Sequence, residues 1–256
     1  MTPIDKIPSD QKPKAKRFWT ETSLKQSDDG YIIALDGREV KTPQGSAMRV
    51  PQRSLADAIC QEWDGQKEEI NPESMPMFKF TVTAIDRVTP QRGAIVQELA
   101  NYGANDLLCY REDSDQRLSD HQHQSWQPYL DWMAETHAIT LNVFSGIMPG
   151  DQPQDMKNAM LDLVDRHDDF TLAGLHTMVT CSGSLVLGLA AKHKHQPIDT
   201  IFEAAFLDDL WQQDKWGYDA ETDQRLKNHQ ALLQHCLLYT SPSPRDLSTS
   251  RMPSSA

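Results

Sequence analysis

Among the residues able to do chemistry, the string Val179-Thr180-Cys181-Ser182-Gly183-Ser184 holds three candidate nucleophiles, and His176 lies just before it. Ser182 or Ser184 attacking with His176 as base, or Cys181 as a thiol nucleophile, would make a small hydrolase. The string does not give G-x-S-x-G, so it is no nucleophile elbow. Small polar residues also let helices approach closely, and that reading is kept for Ser182, Gly183 and Ser184 as a structural motif. Histidines occur as two H-x-H pairs, His121/His123 and His193/His195. A strand would place such a pair on one face, whereas a helix points its members apart. Both pairs lie in helix-like sequence without Cys or carboxylate at ligand spacing, so no metal site is assigned. Paired acids Asp168-Asp169 and Asp208-Asp209 have the composition of a carboxylate metal or glycosidase site. Asp168 and Asp169 precede a helix, where carboxylates cap the end and offset its dipole. No glycine-rich phosphate loop is present. The reading is therefore of no catalytic residue and no cofactor.

Phe206-Leu207-Asp208-Asp209-Leu210-Trp211-Gln212-Gln213-Asp214-Lys215-Trp216-Gly217 has a different character. Two tryptophans five positions apart are rotated by about 140° on a helix, so both cannot face one core. At least one belongs near the surface, with carboxylates around it. Exposed aromatics flanked by acids suit recognition of a polypeptide carrying basic and apolar patches. Core tryptophans beside a solvated acidic face are the plainer alternative.

The elements that must position these residues fall into two regions. After a polar, proline-containing lead-in at 1–16, Tyr31–Leu35 is a short apolar run. Asp36-Gly37 then makes a turn, and Arg38–Thr42 alternates. Strand, Asp-Gly and strand predict a hairpin, because Gly accepts the positive φ of a primed turn. Met48–Val50 reads as a third short strand. From Ser54, a plausible N-cap, Leu55, Ala58, Ile59 and Trp63 recur at helical spacing as far as Asp64-Gly65. Asn71-Pro72 and Met75-Pro76 mark an extended connection, and Phe78–Asp86 starts a helix.

Beyond Pro90, helical patterning dominates. Ile95, Leu99 and Tyr102 share a face. Leu107–Tyr110 is a helix end or short strand, and Trp126, Leu130, Trp132 and Met133 mark a further helix. Ile139–Val143 is β-like, and Met156, Met160, Leu163 and Val164 are amphipathic. Phe170–Lys192 reads as one buried helix kinked at Gly183. A helix from Pro197 places Ile201, Ala205, Leu210 and Trp211 on an apolar face. The fold class is α+β. A β-rich α+β domain at 17–90 precedes an all-helical domain at 91–235.

Net charge is −12, which repels phosphate backbones and anionic lipid heads. Nucleic acid and membrane surface are poor partners. Thr171–Ala191 lacks Asp, Glu, Lys and Arg and is long enough to span a bilayer. Its polar centre argues for burial in protein instead, without stable membrane insertion. The four cysteines are widely separated and read as free thiols in a reducing compartment. The N-terminus has no apolar h-region of a secretory signal, so the cytoplasm is expected.

Acidic helical sequence gives way to Ser/Pro-rich sequence at Cys236–Ala256. Cys236–Asp246 and Ser250–Ala256 read as the translated ends of a sequencing-library adapter with its index between them. The expectation is a non-native tail at 236–256, with the native chain continuing differently after His235. Genomic DNA with the same codons after His235 would sink that reading.

Several strings, each weak alone, occur together in order. They are Arg17-Phe18-Trp19, Leu35-Asp36-Gly37-Arg38 with Thr42-Pro43, Glu62-Trp63-Asp64, Met75-Pro76 and Thr83-Ala84-Ile85-Asp86. Then come Asp106–Arg111 (DLLCYR), Val179–Ser184 and Trp211-Gln212 with Trp216-Gly217. In this order the chain resembles the "ATP twelve" family, the assembly chaperones for the α subunit of the F-type ATP synthase. The resemblance covers about residues 17–220. It implies a two-domain α+β fold with no catalytic residues. It also implies a role in binding the unassembled α subunit and hiding the surface later met by β; a monomer is expected. Such a surface left bare is liable to aggregate. The implied partner-binding residues are Asp208, Trp211, Gln212, Asp214, Trp216 and Gly217. Trp63 and Asp64 take a structural place at the end of the first helix. Where the family commonly carries Glu, this chain has Gln213-Asp214, a shorter reach. A bacterial member would work in the cytoplasm and a eukaryotic one in the mitochondrial matrix. An interaction module with another protein partner is the remaining alternative.

Overall fold

The structure is a computed structural model that describes residues 15–146 and 150–240. The chain divides into two compact units. One contains residues up to 41 together with 47–79, and the other contains 42–46 and the residues from 80 onward. The division falls at 79/80, where the sequence pattern placed it at 90.

The first unit is built on a four-stranded antiparallel sheet. Strand β1 (Thr22–Ser27) pairs along its whole length with β2 (Gly30–Leu35). On its other edge β2 pairs with β3 (Arg38–Glu39) and β4 (Arg49–Val50). The Asp36-Gly37 turn joins β2 to β3 as the sequence predicted, with φ of 47° and 78°. Two successive positive φ values are the signature of the primed turn that matches strand twist. The Asp36 carboxylate, held below its usual range by the backbone N–H groups of Glu21 and Thr20, pins the chain entering β1.

Ile32–Leu35 are all buried in the central strand, and α1 (Arg53–Asp64) packs on β1 and β2 through Leu55, Ala56, Ile59 and Trp63. Gln52, without a side-chain bond, takes the N-cap position expected for Ser54. The connection after α1 is shorter than the extended reading, with a 3₁₀ turn at Pro72–Ser74 and α2 (Pro76–Thr83) starting at the second proline. Glu62 accepts from the Met77 and Phe78 N–H groups, which satisfies free donors at the start of that helix. The sequence motif at Trp63 lies in an edge-to-face row running Phe18, Trp19, Trp63, Phe78, each pair 5.1 Å apart. Arg17 donates to the Asp64 carbonyl. Ala15 and Lys16 pair with Ile70 and Glu69; the rest of the lead-in, 1–14, lies outside the described residues.

The second unit is helical. A π-turn (Ala84–Val88) and a 3₁₀ turn (Thr89–Gln91) lead into α3 (Arg92–Ala104). After a 3₁₀ turn at Leu107–Cys109 come β5 (Tyr110–Arg111) and the long α4 (Gln116–His137). The strand expected at Ile139–Val143 is instead β6 (Phe144–Ser145), parallel to β5. Ile139 and Leu141 are buried as alternation demands, but the Asn142 backbone groups bond the Gln152 side chain and not a neighbouring strand. Helix α5 (Gln154–Asp165) packs on α3.

The stretch Phe170–Lys192 is two helices, α6 (Asp169–Ser182) and α7 (Leu185–Lys192), not one kinked helix. Gly183 at φ 72° caps the first in a left-handed conformation, and Ser184 starts the second by accepting from Leu187 N–H. Asp168 caps α6 as the sequence indicated, accepting from Thr171 N–H. The helix expected from Pro197 is also divided, into α8 (Ile198–Ala205) and α9 (Leu207–Trp216). Finally α10 (Ala220–Thr240) packs on α6. Cys236–Thr240, the first residues of the expected non-native tail, continue this helix, with Cys236 and Tyr239 buried; 241–256 lie outside the described residues. Among the described residues no helix is long and apolar enough to cross a membrane.

Candidate functional site

The hydrolase reading fails on geometry. Ser184 is fully buried, with its hydroxyl spent on the α7 cap and on Asp106. Ser182 is buried and bonds the Ser184 backbone. Burial pushes the Cys181 thiol up to about 11, so little thiolate forms near neutrality. His176 lies 3.3 Å from Glu98, while the Cys181 sulfur approaches the His229 carbonyl. His176 and Cys181 are five positions apart on one helix, rotated by about 140° from each other. Gly183 and its serines instead build the break between α6 and α7. Asp106, fully buried, ties that break to the turn before β5 by accepting from Leu108 and Val186 N–H. Burial raises its carboxyl to about 6.

Of the two H-x-H pairs, His193/His195 is used in packing, while His121 and His123 are exposed. His193 and His195 lie against Trp132, at 5.9 Å and 4.8 Å between ring centres, with His137 on the same indole. Among the described residues no three His, Cys, Asp or Glu side chains converge as a metal site would require.

Helix α9 gathers the residues singled out for partner binding. Only Leu207 of its ten residues is buried. Trp216, at 77% exposed, stands in solvent at its C-terminal end. Gly217 follows at φ 98° and ψ 170°, a region that residues with a Cβ avoid, so it ends the helix and turns the chain out. Tyr218, just beyond, is 71% exposed. Gln212, one turn before Trp216, and Asp214, on the other side of the helix, are both exposed. Asp208 and Trp211 are half-buried and turn toward α4. Asp208 accepts from the Gln122 amide at 2.9 Å, and burial raises its carboxyl. The Trp211 ring lies 5.8 Å from that of His121.

Five positions of helix thus separate a half-covered tryptophan from an exposed one, as the 140° rotation requires. Asp219, Glu221 and Asp223 continue the acidic sequence past Tyr218. Asp219 is exposed and Asp223 half-buried, and both are held below the usual carboxylate range, by bonds from Thr222 and Lys227 respectively. Sequence reasoning missed Tyr218. The signal was available, in an aromatic following a helix-ending glycine outside any periodic face.

An α+β chain whose most exposed aromatics sit at and just beyond the end of a shallowly buried helix, amid carboxylates, has the features of a protein-binding chaperone. The comparisons with known proteins agree. The family described as ATP12 chaperone protein matches residues 16–134. The crystal structure of Atp12 from Paracoccus denitrificans superposes with a TM-score of 0.86 at 32% identity, covering 88% of this chain and 97% of that one. "Protein atp12, mitochondrial" of Schizosaccharomyces pombe is 23% identical, covering 88% of this chain and 84% of its own length. "Protein ATP12, mitochondrial" of Saccharomyces cerevisiae is 26% identical over 86% of this chain and 83% of its own. This chain belongs to the ATP12 chaperone family, whose work is ATP synthase assembly.

Proposed function

We propose that this protein holds the unassembled α subunit of the F-type ATP synthase and shields it from aggregation until β replaces it. The observation that carries the reading is α9, with Trp216 and Tyr218 exposed among carboxylates in a member of a chaperone family. Exposed aromatics grouped closely in the chain supply the apolar patch that marks an interaction site. The carboxylates match a basic patch, and the rings match apolar surface or a cation resting on their faces. Asp208, Trp211, Gln212, Asp214, Trp216 and Gly217 form the partner surface, with Tyr218 added. Asp214 and Trp216 contact the α subunit directly, while Asp208 and Trp211 support them from the α4 side. The protein works as a monomer, without catalysis or cofactor. Its place is a bacterial cytoplasm; the two yeast relatives carry the word mitochondrial in their names.

Co-expression with a tagged α subunit tests the reading. Soluble α subunit should increase, in a complex that added β subunit displaces. The Asp214→Ala, Trp216→Ala double variant should fold normally and hold less α subunit. Unchanged holding would remove this surface from the account. A folded chaperone giving no complex and no rescue would leave an interaction module with another protein partner.

A further inference from the structure

Helix α9 is held to the rest of its unit by little apolar packing, since Leu207 alone of its residues is buried. Polar and ring contacts to α4 take over. Trp126 donates its indole N–H to the Ala204 carbonyl at 2.8 Å, one turn before α9 begins. Gln122 donates to Asp208 at 2.9 Å. His121 faces Trp211, and Lys215 reaches Asp115, the N-cap of α4, at 3.0 Å. Positions 208, 211 and 215 advance by three and four, which keeps them on one face of α9, while Ala204 lies near the end of α8. Their partners 126, 122, 121 and 115 descend along α4, so the two chains run in opposite directions. By helical rotation Trp216 lies about 80° to one side of Asp208 and Asp214 about 120° to the other, both off this stripe.

The centre of the stripe is fully committed. Gln122 is 3% exposed. Its amide oxygen accepts from Glu112 N–H at 2.8 Å while its amide nitrogen bonds Asp208. Its backbone carbonyl accepts from Arg111, whose guanidinium lies 4.9 Å from the centre of the Trp126 ring. Turning the Gln122 amide over would break both side-chain bonds at once. At the far end Asp115 also accepts from Arg117 N–H, so one carboxylate serves the α4 cap and the α9 tether together.

We propose that Gln122 and Asp115 are positioning residues for the partner surface, fixing the pose in which α9 presents Asp214 and Trp216 without themselves touching the partner. The inference rests on α9 being that surface. Hydrogen exchange and α-subunit holding, measured together, keep the two ideas apart. Lys215→Asp leaves the α4 cap intact and sets two carboxylates against each other. Exchange of the α9 amides should rise up to about fivefold, as loss of an exposed ion pair permits, with α6 unchanged. Held α subunit should fall. Asp115→Lys should do the same, and the exchanged pair Asp115→Lys, Lys215→Asp should restore both readouts to within about twofold of the parent. Gln122→Glu keeps the acceptor for Glu112 but opposes Asp208, and should loosen α9 until Asp208→Asn is added.

Unchanged α9 exchange in every single variant would overturn the positioning role. Exchange that rises and is restored, with α-subunit holding constant throughout, would overturn the reading of α9 as the partner surface.

Discussion

Ser184→Ala should destabilise the second unit by about 3 kcal/mol. The Ser184 side chain is fully buried and makes two contributions. As N-cap of α7 it accepts from Leu187 N–H at 3.0 Å, and losing such a cap costs about 1 kcal/mol. Its hydroxyl also bonds the fully buried Asp106 carboxylate, and a lost bond to a charged group is worth about 1.5–3 kcal/mol. Leu108 and Val186 N–H remain, so the carboxylate is left short of one donor and not abandoned. Urea denaturation followed by far-UV circular dichroism should show a lower midpoint with an unchanged slope. A thermal midpoint should fall by about 6–12 °C. The loss also has a pH signature. The hydroxyl stabilises the ionised form of a carboxyl that titrates at about 6. The variant's deficit should therefore be fuller at pH 8 and smaller at pH 5, where Asp106 is protonated with or without Ser184. A deficit under about 1 kcal/mol, or one equal at both pH values, would refute the account of Ser184 as cap and buried donor.

Other outcomes follow from the same contacts. Gly37→Ala should destabilise the first unit by about 1 kcal/mol in urea, because φ is 78° there while no atom lies near enough to clash. Trp126→Phe should cost about 1 kcal/mol through the lost bond to Ala204, and should speed exchange at the α8–α9 junction. His137, His167 and His193 all titrate below the ordinary histidine value, each first because of burial and next because of Lys192. A folded state that resists protonation is destabilised as pH falls through the unfolded value of about 6.5. Taken alone, these three histidines cost the second unit stability from pH 7 toward pH 5, while the raised Asp106 carboxyl works the other way; replacing His193 with Gln should therefore raise the pH 5 midpoint relative to the pH 7 one. Trp216→Ala alone should change stability by less than about 0.5 kcal/mol, since the ring is already in solvent.

Local rules were enough for some features and insufficient for others. The Asp36-Gly37 hairpin, the Asp168 cap and the helix carrying Leu55, Ile59 and Trp63 were legible because each depends on neighbours in sequence. The surface position of one tryptophan in α9 was likewise fixed by helical rotation, and Trp216 proved to be that residue. Composition gave no sign that Phe170–Lys192 would break fully in two. Gly183 and Ser184 are small residues that a kinked helix tolerates, and only Asp106, from about 80 positions away, supplies the buried acceptor that rewards a second helix start at Ser184. In the same way Ile139–Val143 has the alternation of a strand, yet the Gln152 side chain takes the Asn142 backbone groups that a neighbouring strand would have bonded.

The sequence by itself determined the α+β class, the two-part organisation, the chaperone family and the acidic, aromatic character of α9. These follow from periodicity, turn chemistry and ordered motifs, all of which are written along the chain. Only the tertiary structure decided which of the six proposed site residues face outward. Asp208 and Trp211 look like Asp214 and Trp216 in sequence, but Gln122 and His121 on α4 draw the first pair inward and leave the second in solvent. Burial is a property of what packs opposite a residue, and no local pattern states what that will be.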